Sequence, residues 1–137
     1  MDDIQFTEAS LDLIGLCKAV DDSLNPVDRT LYFDSTDEFI VIYFDKRMVK
    51  FGDTVSMYFF IYHECVYIMN LNIDREVEGK YIYSQMSIPY LLSLASEPRS
   101  QYYCTIGIVK NEDTIVGKIQ FKIASKNFIY SNDGLSS

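Results

Sequence analysis

The chain has 137 residues, with 12 basic and 20 acidic side chains and a net charge of −8 at pH 7. This length favours one domain, and a composition of 48% hydrophobic and 15% aromatic residues excludes a disordered, collagen-like or low-complexity chain. We predict a single domain over residues 1–130 and a flexible carboxy-terminal tail over 131–137, where the residues are mostly small or polar.

An amphipathic helix is predicted near the amino terminus, over Thr7–Leu24. Apolar residues recur there at three- to four-residue spacing, at Leu13, Cys17, Val20 and Leu24. This periodicity places one apolar face of the helix on the core. The opposite, exposed face is predicted to carry Asp12, Lys18, Asp21 and Asp22.

After residue 28 the pattern changes to that of strands, with β-branched and aromatic residues separated by turn residues. The predicted strands are Leu31–Asp34, Phe39–Asp45, Met48–Phe51, Val55–Tyr62, Cys65–Ile73, Lys80–Ser84, Tyr102–Val109, Thr114–Ala124 and Phe128–Tyr130. The turn residues between the first two predict a hairpin, and the short His63-Glu64 link predicts a second one.

A second helix is predicted over Ser87–Ser96, with Ser87 as its capping residue and Pro89 in its first turn. We therefore predict an α+β fold of mostly antiparallel sheet, with about eight strands and two helices packed on one face. Because strands and a helix follow each other in a similar order twice, the sequence also indicates an internal pseudo-repeat.

The residues that carry catalysis or hold cofactors are sparse. The three cysteines are widely spaced, His63 is the single histidine, and the glycines are isolated, which disfavours disulfide frameworks, metal clusters, catalytic triads and phosphate-binding loops. The sequence therefore predicts a non-enzyme with no cofactor and no metal. It shows neither a signal-peptide pattern nor an apolar run near the length of a membrane span, so we predict an intracellular protein without membrane contact.

The negative charge is concentrated in residues 1–38, which hold ten acidic and two basic side chains. This distribution predicts that the acidic helix face meets a protein partner with a basic patch, unless it is only solvated. Lys118 and Lys122 share the outward face of one predicted strand, where they can contact a partner or prevent sheet-to-sheet aggregation. Direct binding of nucleic acid is disfavoured, because the acidic face would repel phosphates.

The predicted order of elements, with a short strand at Ile4–Phe6 before the first helix, resembles one domain of a DNA sliding clamp of the PCNA or checkpoint-clamp type. The stretch Tyr81–Ile123 is most similar, running Ile-Tyr-Ser-Gln-Met-Ser-Ile-Pro-Tyr-Leu-Leu-Ser-Leu-Ala into two amphipathic strands. The resemblance implies a clamp-like domain in a replication, repair or viral assembly, and a ring built from several copies.

Two main hypotheses of function follow from these observations, and a third, a small-ligand-binding or hydrolytic domain that uses the helix-covered sheet as a pocket, ranks below them. The first is a non-enzymatic protein–protein interaction module, clamp-like in the sense just given, that can also form a homo-oligomer. The alternative is an acidic inhibitor or immunity-type protein that covers a basic site or mimics nucleic acid. In both, the expected partner-binding residues are Asp12, Lys18, Asp21, Asp22, Lys118 and Lys122.

Overall fold

A computed structural model describes residues 13–125 of the chain. It contains nine strands, a short 3-10 turn at Lys46–Met48 and one helix. The strands are β1 (Ile14–Val20), β2 (Pro26–Arg29), β3 (Tyr32–Asp34), β4 (Phe39–Asp45), β5 (Thr54–Ile61), β6 (Glu64–Asn72), β7 (Tyr81–Ser87), β8 (Gln101–Lys110) and β9 (Thr114–Ala124), and the helix is α1 (Ile88–Ser93).

The strands form two sheets. The first has the order β2-β1-β4-β7, and all its neighbours are antiparallel. The second has the order β3-β9-β8-β5-β6, in which only β3 and β9 are parallel. The predicted hairpin of Leu31–Asp34 with Phe39–Asp45 is therefore wrong, because these segments lie in different sheets. The second predicted hairpin is confirmed as β5–β6.

The two sheets pack face to face around one apolar core. Alternate side chains of β5, β8 and β9 point inward, where they meet the inward side chains of β1, β4 and β7. Helix α1 closes part of this core with Ile88 and Leu91, both fully buried, and Ser87 caps it by accepting a hydrogen bond from the Tyr90 amide at 3.2 Å. The architecture is thus a β-sandwich with one short helix.

The predicted α+β fold with two helices on one sheet face is wrong, and with it the pseudo-repeat that depended on the first helix. Residues 14–20 of the predicted helix Thr7–Leu24 form β1, while residues 7–12 lie outside the described residues. Ile14 to Cys17 are all buried, because β1 lies between β2 and β4 and is covered on both faces. A continuous apolar run of this kind also contains three- and four-residue spacings, so the helical periodicity was coincidental.

Other predicted elements agree with the structure more closely. Thr114–Ala124 has the predicted bounds, Tyr102–Val109 is extended by one residue at each end, and Ser87–Ser96 contains α1. Met48–Phe51 is not a strand but follows the 3-10 turn into the loop before β5. Ile4–Phe6, Phe128–Tyr130 and the tail 131–137 lie outside the described residues. Within residues 13–125, no helix has the length and apolar character needed to cross a membrane.

Part of the strand order is the same as in immunoglobulin-type sandwiches, although within residues 13–125 the first sheet has β2 beside β1 and no strand in the D position. β1, β4 and β7 occupy the positions of their A, B and E strands, and β6, β5, β8 and β9 those of C′, C, F and G. Tyr102, near the start of β8 and two residues before Cys104, accepts a hydrogen bond on its hydroxyl from the Arg99 amide at 2.8 Å. This is the tyrosine corner of that architecture. Cys104 is buried and not disulfide-bonded, and the chain has no tryptophan.

Candidate functional site

The outward face of the second sheet carries the most distinctive surface of the described residues. Because side chains alternate along a strand, Lys118, Gln120 and Lys122 face outward where Ile119, Phe121 and Ile123 of β9 face the core. The predicted shared outward face of Lys118 and Lys122 is therefore confirmed. Their neighbours across β8 are Gly107 and Tyr103.

Aromatic and cationic side chains follow one another across one end of this face. Lys122 pairs with Tyr32 of β3 on one side and with Tyr103 of β8 on the other. Its Nζ lies 5.6 Å from the centre of the Tyr103 ring. The Tyr103 ring contacts the Tyr62 ring at 5.9 Å, and the Arg99 guanidinium carbon lies 4.8 Å from the centre of the Tyr62 ring. We call Tyr32, Lys122, Tyr103, Tyr62 and Arg99 the aromatic–cation row.

Tyr62 is held in an unusual conformation within this row. Its φ is +56°, a left-handed value that is an outlier for a bulky side chain. Its amide donates to the Tyr103 carbonyl at 2.8 Å, and its hydroxyl donates to the Gln101 carbonyl at 3.0 Å. These two bonds and the ring contacts fix the Tyr62 side chain between β8 and the segment that carries Arg99.

The row and its surroundings are accessible and positively charged. Tyr32 is 71% exposed, Tyr103 50%, and Ile68, farther along the same face on β6, 47%. Half-buried Tyr58 and Phe60 lie between them on β5, and Gly107 leaves open space above β8. The three central strands, β5, β8 and β9, contain lysines but no acidic residue. This face therefore combines exposed aromatic area with the lysine side chains of β9.

A cleft of about 510 Å³ continues the row beyond Tyr62. It is lined by His63, Glu64, Ser96 and Arg99 among others. The Ser96 hydroxyl donates to a Glu64 carboxylate oxygen, and Arg99 lies 3.6 Å from a Glu97 carboxylate oxygen, so the polar groups of the cleft bond to one another. No group of three or more metal-ligating side chains occurs between residues 13 and 125.

The acidic residues predicted to bind a partner do not form a helix face. Lys18 lies on β1 and makes an ion pair of 3.2 Å with Asp37. Asp21 and Asp22 are exposed in the turn between β1 and β2, where an Asp21 carboxylate oxygen accepts from the Ser23 and Asn25 amides, both at 2.9 Å. Asp12 lies outside the described residues. The structure thus places Lys18, Asp21 and Asp22 on or beside the first sheet, and Lys118 and Lys122 on the second.

Sequence analysis did not single out Tyr32, Tyr62, Tyr103 or Arg99. Side chains alternate between the two faces of the sheet along Tyr102–Val109, so Tyr103 points away from the face that holds the buried Tyr102 and Cys104. This alternation was the sequence signal for an outward tyrosine. Tyr32 and Arg99 carry no such signal, because pairing of β3 with β9 and the approach of Arg99 to Tyr62 are tertiary contacts.

Comparison of the chain with family models, with curated proteins and with solved structures finds no match. The resemblance to a sliding-clamp domain therefore stays a prediction, and the function has to be argued from the surface itself.

Proposed function

We propose that this protein is a non-enzymatic protein–protein interaction module that binds a partner through the outward face of its second sheet. The observation that carries the proposal is the aromatic–cation row, with Tyr32 71% exposed at one end and Tyr103 50% exposed at its centre. Tyrosine and arginine are enriched among the residues that dominate binding energy at interfaces, since they bury large areas at low entropic cost and also form hydrogen bonds.

The chemistry of the face favours an acidic partner segment that also carries apolar side chains. β8 and β9 supply lysines, and β5, β8 and β9 contain no acidic residue, so acidic groups of a partner would meet no carboxylate from these three strands. Apolar groups of the partner would cover Tyr103, Tyr58 and Ile68. Lys122 lies over the Tyr103 ring, which holds its charge at a fixed position for pairing with a carboxylate, whereas Arg99 lies over the Tyr62 ring and is also paired with Glu97.

A protein fits this face better than a nucleic acid does, although stacked aromatics and cations also serve single-stranded nucleic acids. The chain carries a net charge of −8, which repels a polyanion at long range. Glu64 and Glu97 stand beside Arg99 at the end of the row. A short acidic peptide carries far less charge than a phosphate backbone, so the negative net charge of the protein repels it much less.

The dimensions are sufficient for an ordinary interface. A strand as long as β8, with 10 residues, spans about 33 Å. Five strands spaced by about 4.8 Å make a face about 19 Å wide. The resulting area of about 600 Å² approaches the roughly 800 Å² that each partner contributes to a standard complex.

The proposal is tested with a displayed library of random peptides selected on the immobilised protein. We expect enrichment of peptides that combine Asp or Glu with apolar residues, and binding that weakens as salt is added. Tyr103→Ser and Lys122→Glu should each reduce the affinity for a selected peptide about tenfold or more. Tyr90→Ser and Lys80→Glu serve as matched controls, because Tyr90 lies on α1 and Lys80 precedes β7 of the other sheet.

The proposal would be contradicted if the control substitutions weakened binding of the selected peptides as much as Tyr103→Ser and Lys122→Glu do. It would also be contradicted if Tyr103→Ser and Lys122→Glu left that binding unchanged. Enrichment of basic peptides that lose binding on charge reversal at Asp21 and Asp22 would instead favour the acidic-inhibitor alternative. The Asp22 carboxylate is the better probe of that alternative, because the Asp21 carboxylate is engaged in its own turn.

A further inference from the structure

The free edge of β6 is the longest open strand edge in the described part of the chain. β6 has nine residues and ends the second sheet, with β5 on its one paired side. The other edges are shorter or protected. β3 has three residues, β2 has four and contains Pro26 and the left-handed Asp28, and β7 runs directly into α1, which packs on it.

Beyond the irregularity where Tyr67 and Cys65 pair with the adjacent Phe59 and Phe60 of β5, β6 carries none of the usual sequence features that discourage pairing with another strand. From residue 65 to 72 it reads Cys-Val-Tyr-Ile-Met-Asn-Leu-Asn, with no charged residue, proline or glycine. Monomeric proteins usually protect such an edge with an inward-pointing charge, a lysine or a proline. Ile68 is 47% exposed in the middle of the strand.

In the described part of the chain, the ring contact and the side-chain hydrogen bond that β6 receives from outside the sheet both fall in its first half. The Tyr90 ring of α1 contacts the Tyr67 ring at 5.6 Å, and Ser96 bonds to Glu64 at the strand's first residue. From Ile68 to Asn72 the exposed residues alternate with half-buried ones, as on a sheet edge that is open to solvent. The open part therefore begins where the apolar exposure is greatest.

We propose that β6 pairs antiparallel with β6 of a second copy of this chain, which joins two five-stranded sheets into one of ten strands. A two-fold axis near Ile68 would place Ile68 opposite its own copy and Tyr67 opposite Met69, which keeps inward side chains on one face and outward ones on the other. The register shift in the β5–β6 pairing leaves Val66 without a β5 partner, so the regular part of this contact is centred on Tyr67–Met69, where β6 has no charged residue.

This arrangement has a consequence for binding. The outward faces of both second sheets become one continuous surface, so the two aromatic–cation rows lie on the same side of the dimer. A partner with two acidic segments, or a dimeric partner, would then gain avidity from simultaneous contacts. The dimer itself does not depend on what the row binds.

Light scattering coupled to size exclusion tests the proposal on the full chain. We expect a mass of twice 15.9 kDa that falls toward 15.9 kDa on dilution. Ile68→Lys should give the monomer at concentrations where the wild type is dimeric, because it places like charges opposite each other at the edge. Ile115→Lys is the matched control, since Ile115 is 45% exposed on β9 and should leave the dimer intact.

A cross-linking experiment locates the contact without relying on a disruptive variant. In a Cys65→Ser background, Ile68→Cys should form an intermolecular disulfide under mild oxidation, because directly opposed residues have Cα atoms about 4.5–5.5 Å apart, within the disulfide range. A cysteine in place of Ile115 should not cross-link. The proposal would be overturned by a wild type that stays monomeric at all concentrations. It would also be overturned by a dimer that is unaffected by Ile68→Lys and is not cross-linked through position 68.

Discussion

Gly15 is the residue of β1 at which a single methyl group should have a large and measurable effect. It pairs with Tyr43 of β4, on the face of the first sheet that points away from the main core. A Cβ at position 15 would overlap the hydroxyl oxygen and Cζ of Tyr43 and would lie 2.9 Å from its Cε2. The Tyr43 ring is 2% exposed and contacts the Tyr81 ring at 4.9 Å, so it has little room to move.

The expected magnitude follows from two opposing terms. Overpacking a close-packed site costs about 1–3 kcal/mol. Alanine in a strand recovers about 0.5–1 kcal/mol relative to glycine, because the unfolded chain loses less entropy on folding. Gly15→Ala should therefore destabilise the fold by about 1–2 kcal/mol. Thermal unfolding should occur about 4–8 °C lower.

Gly107 provides the matched control within the second sheet. It also lies inside a strand, but a Cβ there has nothing within 4 Å. Gly107→Ala should be neutral or should stabilise by about 0.5 kcal/mol. Both variants are compared with the wild type by urea and thermal unfolding. Equal stability of the two variants would refute the packing of Tyr43 against Gly15 that the structure shows.

Three further predictions concern single side chains. Asp45 is buried, and its pKa is lowered to about 2, chiefly by hydrogen bonds from the Arg47 side chain. The Asp45 carboxylate therefore stabilises the fold above its ordinary pKa of 3.8, and this contribution is lost as the pH falls toward 2. Asp45→Asn should lower the free energy of unfolding by about 1 kcal/mol at pH 7. This is well below the energy that corresponds to the full pKa shift, because Arg47 is 74% exposed and solvent screens the pair. The denaturation curves of the variant and the wild type should converge near pH 2. A difference that stays constant from pH 7 to pH 2 would contradict this account. Tyr102→Phe, which removes the acceptor of the Arg99 amide, should lower the free energy of unfolding by about 0.5–1.5 kcal/mol, whereas an unchanged value would show that the tyrosine corner contributes nothing. In a thiol titration of the native protein Cys65 should react first, because it is exposed while Cys17 and Cys104 are buried. Burial also raises the pKa of Cys104 to about 12, which slows its reaction further. Equal reaction rates for the three cysteines would contradict the burial of Cys17 and Cys104.

The second half of the fold could be predicted from the sequence because its patterns have one interpretation. In β9 the alternation of Ile119, Phe121 and Ile123 with Lys118 and Lys122 marks a strand with one buried face. Ser87 followed by Pro89 marks the start of α1. These signals are local, so no tertiary contact had to be known.

The first strand could not be predicted, because β1 is covered on both faces, although Phe39–Asp45 of the same sheet has the predicted bounds. Burial of consecutive residues removes the alternation that identifies a strand, and the remaining apolar spacing is compatible with a helix. Gly15 was the contrary signal, since glycine weakens a helix interior by about 1 kcal/mol but often marks close backbone approach in a strand. The neighbour that requires it, Tyr43, is 28 positions away and enters only through the β1–β4 pairing.

The sandwich also changes what the charge distribution implies. The acidic residues Asp21, Asp22 and Asp28 belong to the β1–β2 hairpin of the first sheet, whereas Lys118 and Lys122 lie on the outward face of the second. Asp21 and Asp22 lie in the turn between β1 and β2, and the hairpin also carries Lys18 and Arg29, so the acidic charge is concentrated in that turn and does not cover a sheet face. The lysines of β9 would orient the carboxylates of an acidic partner toward the aromatic–cation row, so added salt should slow association more than it speeds dissociation. Pairing through β6 would preserve that orientation, since both cationic faces would remain on one side of the dimer.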